Sequence, residues 1–316
     1  MMKHKINYFD CHVDTLTEIP SEESLRRNSG NLDLERLGEF AEHYIQVFAL
    51  WKDRTRMAKR HPEKEFMKLY DRARFLLSEE SEHIAFCRNG SDMKQALSER
   101  KMAAFLAVED VSIMGSCIDR AKELGVSIAM LTWNYENEYG AGAAYSQQQG
   151  LTEKGKETVK NLLDQKIILD ISHLSDAGAD DIFPMTEAPV IASHSNVRDI
   201  CPNPRNLTIS HIWEIIKRRG IIGMNFYAPF IKEGEPVEMT ELFRHMDHIL
   251  NQGGEDALVL GSDFDGCGNR FAEGMTGVES IPILMEKMER AGFGSEIIEK
   301  IFWKNGYEFF ERVDLS

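Results

Sequence analysis

No stretch of this sequence is apolar over the roughly 20 residues that a bilayer-crossing helix needs. The charged start "MMKHKINYFD" also lacks the apolar core of a signal peptide. Cysteine is sparse: Cys11, Cys87, Cys117, Cys201 and Cys267 are scattered, odd in number and form no CxxC pair. That argues against a disulfide framework and fits a reducing cytoplasm. Positive charge is in deficit, with 37 Lys and Arg against 52 Asp and Glu and a formal net charge of -15. Nucleic acid and anionic membranes are therefore poor candidates for the main partner. No GxGxxG or GxxxxGK[ST] motif precedes a helical pattern, so nucleotide binding has no support. Low-complexity segments, Gly/Ser linkers and short-period repeats are missing too. The expectation is a soluble cytoplasmic protein forming one unit over residues 1–316.

What is there is a repeated alternation. The chain has 316 residues, 42% of them hydrophobic, enough for a full core. Eight short apolar runs read as strands: 6–11, 44–50, 103–108, 127–131, 167–171, 190–192, 221–226 and 257–261. Helical patterns separate most of them. In "KEFMKLYDRARFLLSEESE" (64–82), Phe66, Leu69, Tyr70, Ala73, Leu76 and Leu77 recur at helical spacing. In "TEKGKETVKNLLDQK", Thr152 can cap and Val159, Leu162 and Leu163 face inward. "ELFRHMDHILNQGG" ends in a glycine stop at Gly253 and Gly254. Continuous apolar strands alternating with helices indicate a parallel sheet covered on both faces. Eight such units predict an α/β fold, a (β/α)8 TIM-type barrel. The segment 141–150 reads as an active-site insertion, and "EKIFWKNGYEFFERV" as a C-terminal helix covering the barrel.

Polar residues able to carry chemistry fall just past the strands. "NYFDCHVDTLTEIP" supplies His12 and Asp14 after the first, and "FLAVED" supplies Glu109 after the third. "ILDISH" supplies His173 after the fifth, "VIASH" His194 after the sixth, and "LVLGSDFDG" Asp263 and Asp265 after the eighth. Barrel active sites lie at the strand C-terminal ends, so these residues are expected to converge. Three histidines with two or three carboxylates suit a borderline divalent cation such as zinc. One catalytic ion needs three protein ligands. Six candidates suit two ions, about 3.5 Å apart, sharing a carboxylate and gripping one hydroxide. Manganese, cobalt or iron would fit the same donor types.

Other histidines read differently. His4, His43, His61 and His83 read as surface residues. His245 and His248 lie three apart on a helix with no strand end pointing at them, which reads as a packing or solvated face. Cys201 has no matching His–Asn arrangement for nucleophilic work.

The motifs "DCHVD", "AVED", "LDISHLS", "APVIASHS", "CPNPRN", "GMNFY", "HMDHI" and "GSDFDGC", in this order, resemble those of the renal (membrane) dipeptidases and their bacterial relatives. These are zinc peptidases of family M19 within the amidohydrolase superfamily. The resemblance runs from Tyr8 to Phe310. It implies two zinc ions per chain: His12 and Asp14 on one, His173 and His194 on the other, Glu109 bridging both. It implies that Asp263 handles the proton of the bridging water, that Arg205 holds the substrate's C-terminal carboxylate, and that Tyr227 lines the cavity. The implied activity is hydrolysis of dipeptides by a metal-bridging hydroxide, with tolerance of a D-residue at the C-terminal position. The resemblance also allows a homodimer.

One departure stands out. Mammalian members carry a histidine after the fourth strand that stabilises the oxyanion. Here "MLTWNYEN" puts Trp133 in that place, leaving Asn134, Tyr135 or Asn137 as possible donors. Loss of one such donor can cost about 10²–10³ in rate. The alternatives are a related metal hydrolase acting on N-acyl amino acids, cyclic amides or lactones, and a binding protein with weakened turnover.

Overall fold

The computed structural model describes residues 5–54, 57 and 61–315. Among them nine strands form: β1 (Ile6–Val13), β2 (Ala41–Leu50), β3 (Ile84–Phe86), β4 (Met102–Val108), β5 (Val126–Met130), β6 (Ile168–Asp170), β7 (Val190–Ile191), β8 (Ile222–Met224) and β9 (Leu258–Leu260). All pairings between them are parallel. β1, β2, β4, β5, β6 and β7 follow one another in one sheet, and β8 pairs with β9 in a second. Isolated parallel bridges, Ala192↔Ile222 and Val13↔Phe264, join the two sheets at both seams. The result is an α/β barrel of eight parallel strands.

All eight expected strands are present. The ninth, β3, pairs with Met102–Ala104 at the start of β4, below the point where β5 joins the same edge. Three residues are too few to carry a readable pattern, which is why β3 escapes the sequence.

The helices follow from local chemistry. Pro62–Glu79 starts with proline at its first position, where the missing N–H costs nothing. Glu153–Asp164 is capped by Thr152, whose Oγ1 accepts the Gly155 N–H at 3.0 Å. Leu242–Asn251 gives way to Gly253, whose φ of +81° suits only glycine without strain. The C-terminal pattern is a helix with a five-residue π turn, Lys300–Lys304, before Asn305–Arg312.

One apolar cluster draws on seven strands of the ring and on Ile221 just before β8, with Phe9, Ile45, Phe105, Ile128, Ile168, Ile191 and Val259 among its members. Residues from opposite strands meet only inside the barrel, so this cluster is its interior. Phe309 and Phe310 belong to it, and the Phe310 ring stacks on Phe105 at 4.1 Å. A Cβ on Gly306 would overlap the Phe9 ring, so glycine there lets the last helix close against the barrel. A larger cluster fills the shell between strands and helices. Among the described residues no helix is long and apolar enough to cross a membrane, and all five cysteines are free.

His245 is fully buried on its helix: its Nδ1 accepts the Val197 N–H at 3.1 Å and its Nε2–H donates to the Ile231 carbonyl at 2.8 Å. It is a packing residue. His43, expected at the surface, is half-buried with its ring 6.2 Å from Trp303. His4 lies outside the described residues.

Candidate metal centre

The polar residues that follow the strands come together at one end of the barrel. Two buried aspartates fix the strand ends that carry them. Asp10 Oδ1 accepts the N–H groups of His12 (3.1 Å) and Ser262 (3.0 Å), tying β1 to β9. Asp170 Oδ1 accepts those of Ser172 (2.9 Å) and Ser193 (3.1 Å), tying β6 to β7. His173 and Asp263 sit at positive φ, 69° and 61°. Side chains other than glycine seldom adopt that conformation, and it persists where the surroundings over-determine it.

The side chains then converge. His173 Nε2 lies 2.7 Å from Glu109 Oε1 and 2.8 Å from His194 Nε2. His12 Nε2 lies 3.5 Å from both Glu109 Oε2 and Asp14 Oδ2. Glu109 thus offers one oxygen to each side. Ligand atoms of His12, Glu109 and His194 form one cluster able to hold a cation, and those of His12, Asp14 and Asp263 form another. His12 Nε2 and Asp14 Oδ1 are buried with no hydrogen-bond partner among the described residues. Buried polar atoms are rarely left so, and both residues belong to a cluster able to hold a cation. A Cβ on Gly266 would fall 2.3 Å from Asp14 Oδ2 and 2.4 Å from Asp263 Oδ1, so glycine leaves room for both carboxylates.

Electrostatics point the same way. Burial drives His173 down to about 4 and His194 well below the usual histidine range, so both are neutral, the ligand form, at pH 7. Burial pushes Asp14 up to about 8; the bond to His12 opposes that rise and the charges of Glu109 and Asp263 add to it. Three buried carboxylates crowded together favour a dication over a proton. The His and carboxylate donors fit zinc.

Beside the cluster opens a cavity of about 450 Å³, lined by Asp14, Glu109, His173 and Asp263 and by Trp51, Trp133, Asn134, Tyr227, Phe230 and Cys267. Arg205 lies beneath this wall, 5.3 Å from the Phe230 ring centre. It is almost fully buried, and its Nε and Nη2 have no hydrogen-bond partner among the described residues. Burial lowers it to about 10, against the attraction of Asp263 and Glu109. It remains charged at neutral pH and has donors free for an anion.

A scan against family models matches residues 1–315 to the membrane dipeptidases, peptidase family M19. The chain belongs to that family. Membership makes it a metallopeptidase, a hydrolase of peptide bonds. Among solved structures, a metallo peptidase from Rhodobacter sphaeroides, liganded with a phosphinate mimic of the dipeptide L-Ala-D-Ala, superposes with a TM-score of 0.87 at 23% identity, covering 98% of this chain and 99% of that one. The M19 metallo peptidase called dipeptidase AC gives 0.87 at 24% identity, covering 99% and 100%. An uncharacterized protein of the pqqA 5′ region in Klebsiella pneumoniae is 26% identical over 251 residues, 75% of this chain and 92% of its own.

In this M19 chain the expected oxyanion donors are differently employed. Asn137 Nδ2 is spent on Asp110 (2.8 Å) and the Leu131 carbonyl (2.7 Å). Tyr135 is largely exposed. Asn134 Oδ1 accepts from His173 Nδ1 at 2.9 Å, which orients that ring. Trp133 stacks over His173 at 6.1 Å and meets Trp51 at 5.3 Å, forming an apolar wall. Tyr227 OH accepts from Arg270 at 2.9 Å. The segment 141–150 braces the site without lining it: the Ala143 N–H donates to the His173 carbonyl at 2.7 Å, and Gln147 Nε2 donates to the Pro204 carbonyl at 3.1 Å. Sequence reasoning missed Trp51, Phe230 and Cys267 in the wall and Asn225, whose Nδ2 donates to Asp263 Oδ2 at 2.9 Å. Asn225 stood inside the "GMNFY" motif and Cys267 inside "GSDFDGC"; Trp51 had no signal beyond lying just past a strand, and Phe230, in the short helix Ala228–Ile231, had none.

Proposed function

We propose that this protein is a zinc-dependent dipeptidase that accepts a D-residue at the C-terminal position. The observation that carries the reading is the approach of His173 Nε2 to Glu109 Oε1 at 2.7 Å and to His194 Nε2 at 2.8 Å, beside His12 and Asp14. In the proposed arrangement His12 and Asp14 would hold one ion and His173 and His194 a second, with Glu109 available to both. Such ions supply Lewis-acid polarisation of the scissile carbonyl and a water made acidic at neutral pH.

The chain's own residues do the rest. Asp263, held by Asn225 and raised by burial, takes the proton of the attacking water and passes it to the leaving amine. Arg205 pairs its free donors with the substrate's C-terminal carboxylate, a charge-assisted contact at a buried guanidinium. Asn134 keeps His173 in register, leaving its own Nδ2 to donate into the cavity. Trp51 and Trp133 cover the apolar side of the substrate. A cavity of about 450 Å³ suits a ligand of dipeptide size.

The same aromatic wall suits an acyl group, so N-acyl amino acids form the second reading. Zinc content measured together with turnover on L,L- and L,D-dipeptides, N-acyl amino acids and lactones tests both. Hydrolysis of the dipeptides is expected. Turnover confined to N-acyl amino acids or lactones would replace this reading with the second.

A further inference from the structure

Ser193 stands one residue before His194, and its hydroxyl does something no ligand does. Its Oγ lies 2.8 Å from His194 Nδ1 and 3.3 Å from His12 Nδ1. These two histidines come from the ends of different strands, β7 and β1, and their ring centres lie 3.8 Å apart. Both direct Nε2 toward the cluster, so in a loaded site both Nε2 lone pairs are committed and both Nδ1 atoms carry protons. A serine hydroxyl accepts two hydrogen bonds and donates one. Ser193 can accept from both imidazoles at once, which leaves its own proton to place. Beside it lies the Asp170 carboxylate, whose Oδ1 accepts the Ser193 N–H and whose Oδ2 is buried without a hydrogen-bond partner among the described residues.

The surroundings fix the serine in place. Its N–H donates to Asp170 Oδ1 at 3.1 Å. Its carbonyl oxygen presses between β8 and the end of β9, where a Cβ on either Gly223 or Gly261 would overlap it. Asp170 Oδ1 also accepts the Ser172 N–H at 2.9 Å, so the carboxylate is held from both β6 and β7.

We propose that Ser193 is a positioning residue shared by the two halves of the metal centre, its hydroxyl accepting from His12 and His194. The proposal rests on His12 and His194 being ligands, as proposed above. One hydroxyl then sets the tautomer and ring orientation of a ligand on each side, and its loss weakens both sides together. Removal of such an outer partner lowers metal affinity by about 10- to 100-fold.

The test is zinc titration of the metal-free full chain against a competing chelator, for wild type, Ser193→Ala and Ser193→Thr. Ser193→Ala is expected to raise the zinc Kd of each binding step about 10- to 100-fold. Ser193→Thr, which keeps the hydroxyl, is expected to bind more tightly than Ser193→Ala. In zinc-loaded wild type, imidazole 15N spectra should show His12 and His194 protonated at Nδ1, with those protons exchanging faster in Ser193→Ala. Weakening confined to one step, or Kd values within twofold of wild type, would overturn the proposal. So would a lowered unfolding midpoint of the metal-free Ser193→Ala chain with zinc affinity unchanged, since that is a packing role. Joint weakening in Ser193→Ala with no dipeptide turnover in wild type supports the shared hydroxyl and removes the dipeptidase reading. Turnover with unaltered zinc affinity does the reverse.

Discussion

Arg198 and Asp176 meet in a two-pronged ion pair, Nη1 to Oδ2 at 2.5 Å and Nη2 to Oδ1 at 2.8 Å. The same guanidinium donates from Nε to the Asn206 carbonyl at 2.8 Å and from Nη2 to the Pro204 carbonyl at 2.9 Å. These carbonyls flank Arg205. The pair therefore anchors the loop that carries the proposed carboxylate receptor. Arg198→Met should raise KM for dipeptides about tenfold with a smaller change in kcat, because small misplacements of positioning groups are costly. Arg205→Ala should raise KM by about 100-fold or more, since it removes one side of a buried charged contact. Steady-state kinetics on dipeptides and their C-terminal amides check both. An equal rise on the amides would mean general damage, not loss of carboxylate recognition.

Glu109→Gln keeps the shape of the side chain and removes its charge. With one oxygen beside His173 and the other facing His12, the substitution should weaken every bound ion. The loss should exceed the 10- to 100-fold typical of an outer partner. Elemental analysis after dialysis against chelator is the check; retention of wild-type zinc with full activity would remove the bridge.

Gly266→Ala puts a methyl group where Asp14 and Asp263 oxygens approach within 2.4 Å. Both carboxylates would have to move. Zinc content and activity should fall together, by about tenfold or more, while the unfolding midpoint of the metal-free chain changes little. An unchanged zinc content would show that the carboxylates tolerate the methyl group.

His245 makes stability fall in acid. Burial lowers it to about 4 from an ordinary 6.5. Between those values the unfolded chain takes up a proton that the folded chain refuses. Its contribution is therefore fully present above pH 6.5 and lost as pH falls toward 4, by on the order of 3 kcal/mol. His245→Gln can still accept from Val197 and donate to Ile231 but does not titrate. Denaturant unfolding of the metal-free proteins at pH 7, 5.5 and 4.5 should show a shallower acid decline in the variant. Parallel declines would assign the effect elsewhere.

The barrel was readable because buried parallel strands spell themselves out as unbroken apolar runs, as in Ala103–Val108 and Ala257–Gly261. His12, Glu109, His173 and Asp263 were readable because a polar residue directly past such a run stands at the active end. β3 was not, being three residues long. Ser193, Asp170 and Asp10 were passed over because a serine or aspartate within an apolar strand end looks like ordinary backbone pairing; their work depends on which neighbour each seam supplies. Asn134 was expected to face substrate, and only the fold shows its oxygen turned to His173. Arg205 had a role by resemblance, yet the anchoring of its loop by Arg198 and Asp176 spans 22 residues of chain and has no local pattern.

The closure of the ring has a mechanical consequence. β1 meets the end of β9 through an isolated bridge, Val13↔Phe264, where the Asp263 N–H donates to the His12 carbonyl and the Asp14 N–H to that of Phe264. His12, Asp14 and Asp263 straddle that join. A cation held there would act as a rivet between the first strand and the last, so demetallated protein should exchange its amide hydrogens fastest along this line and open there before the remaining staves loosen.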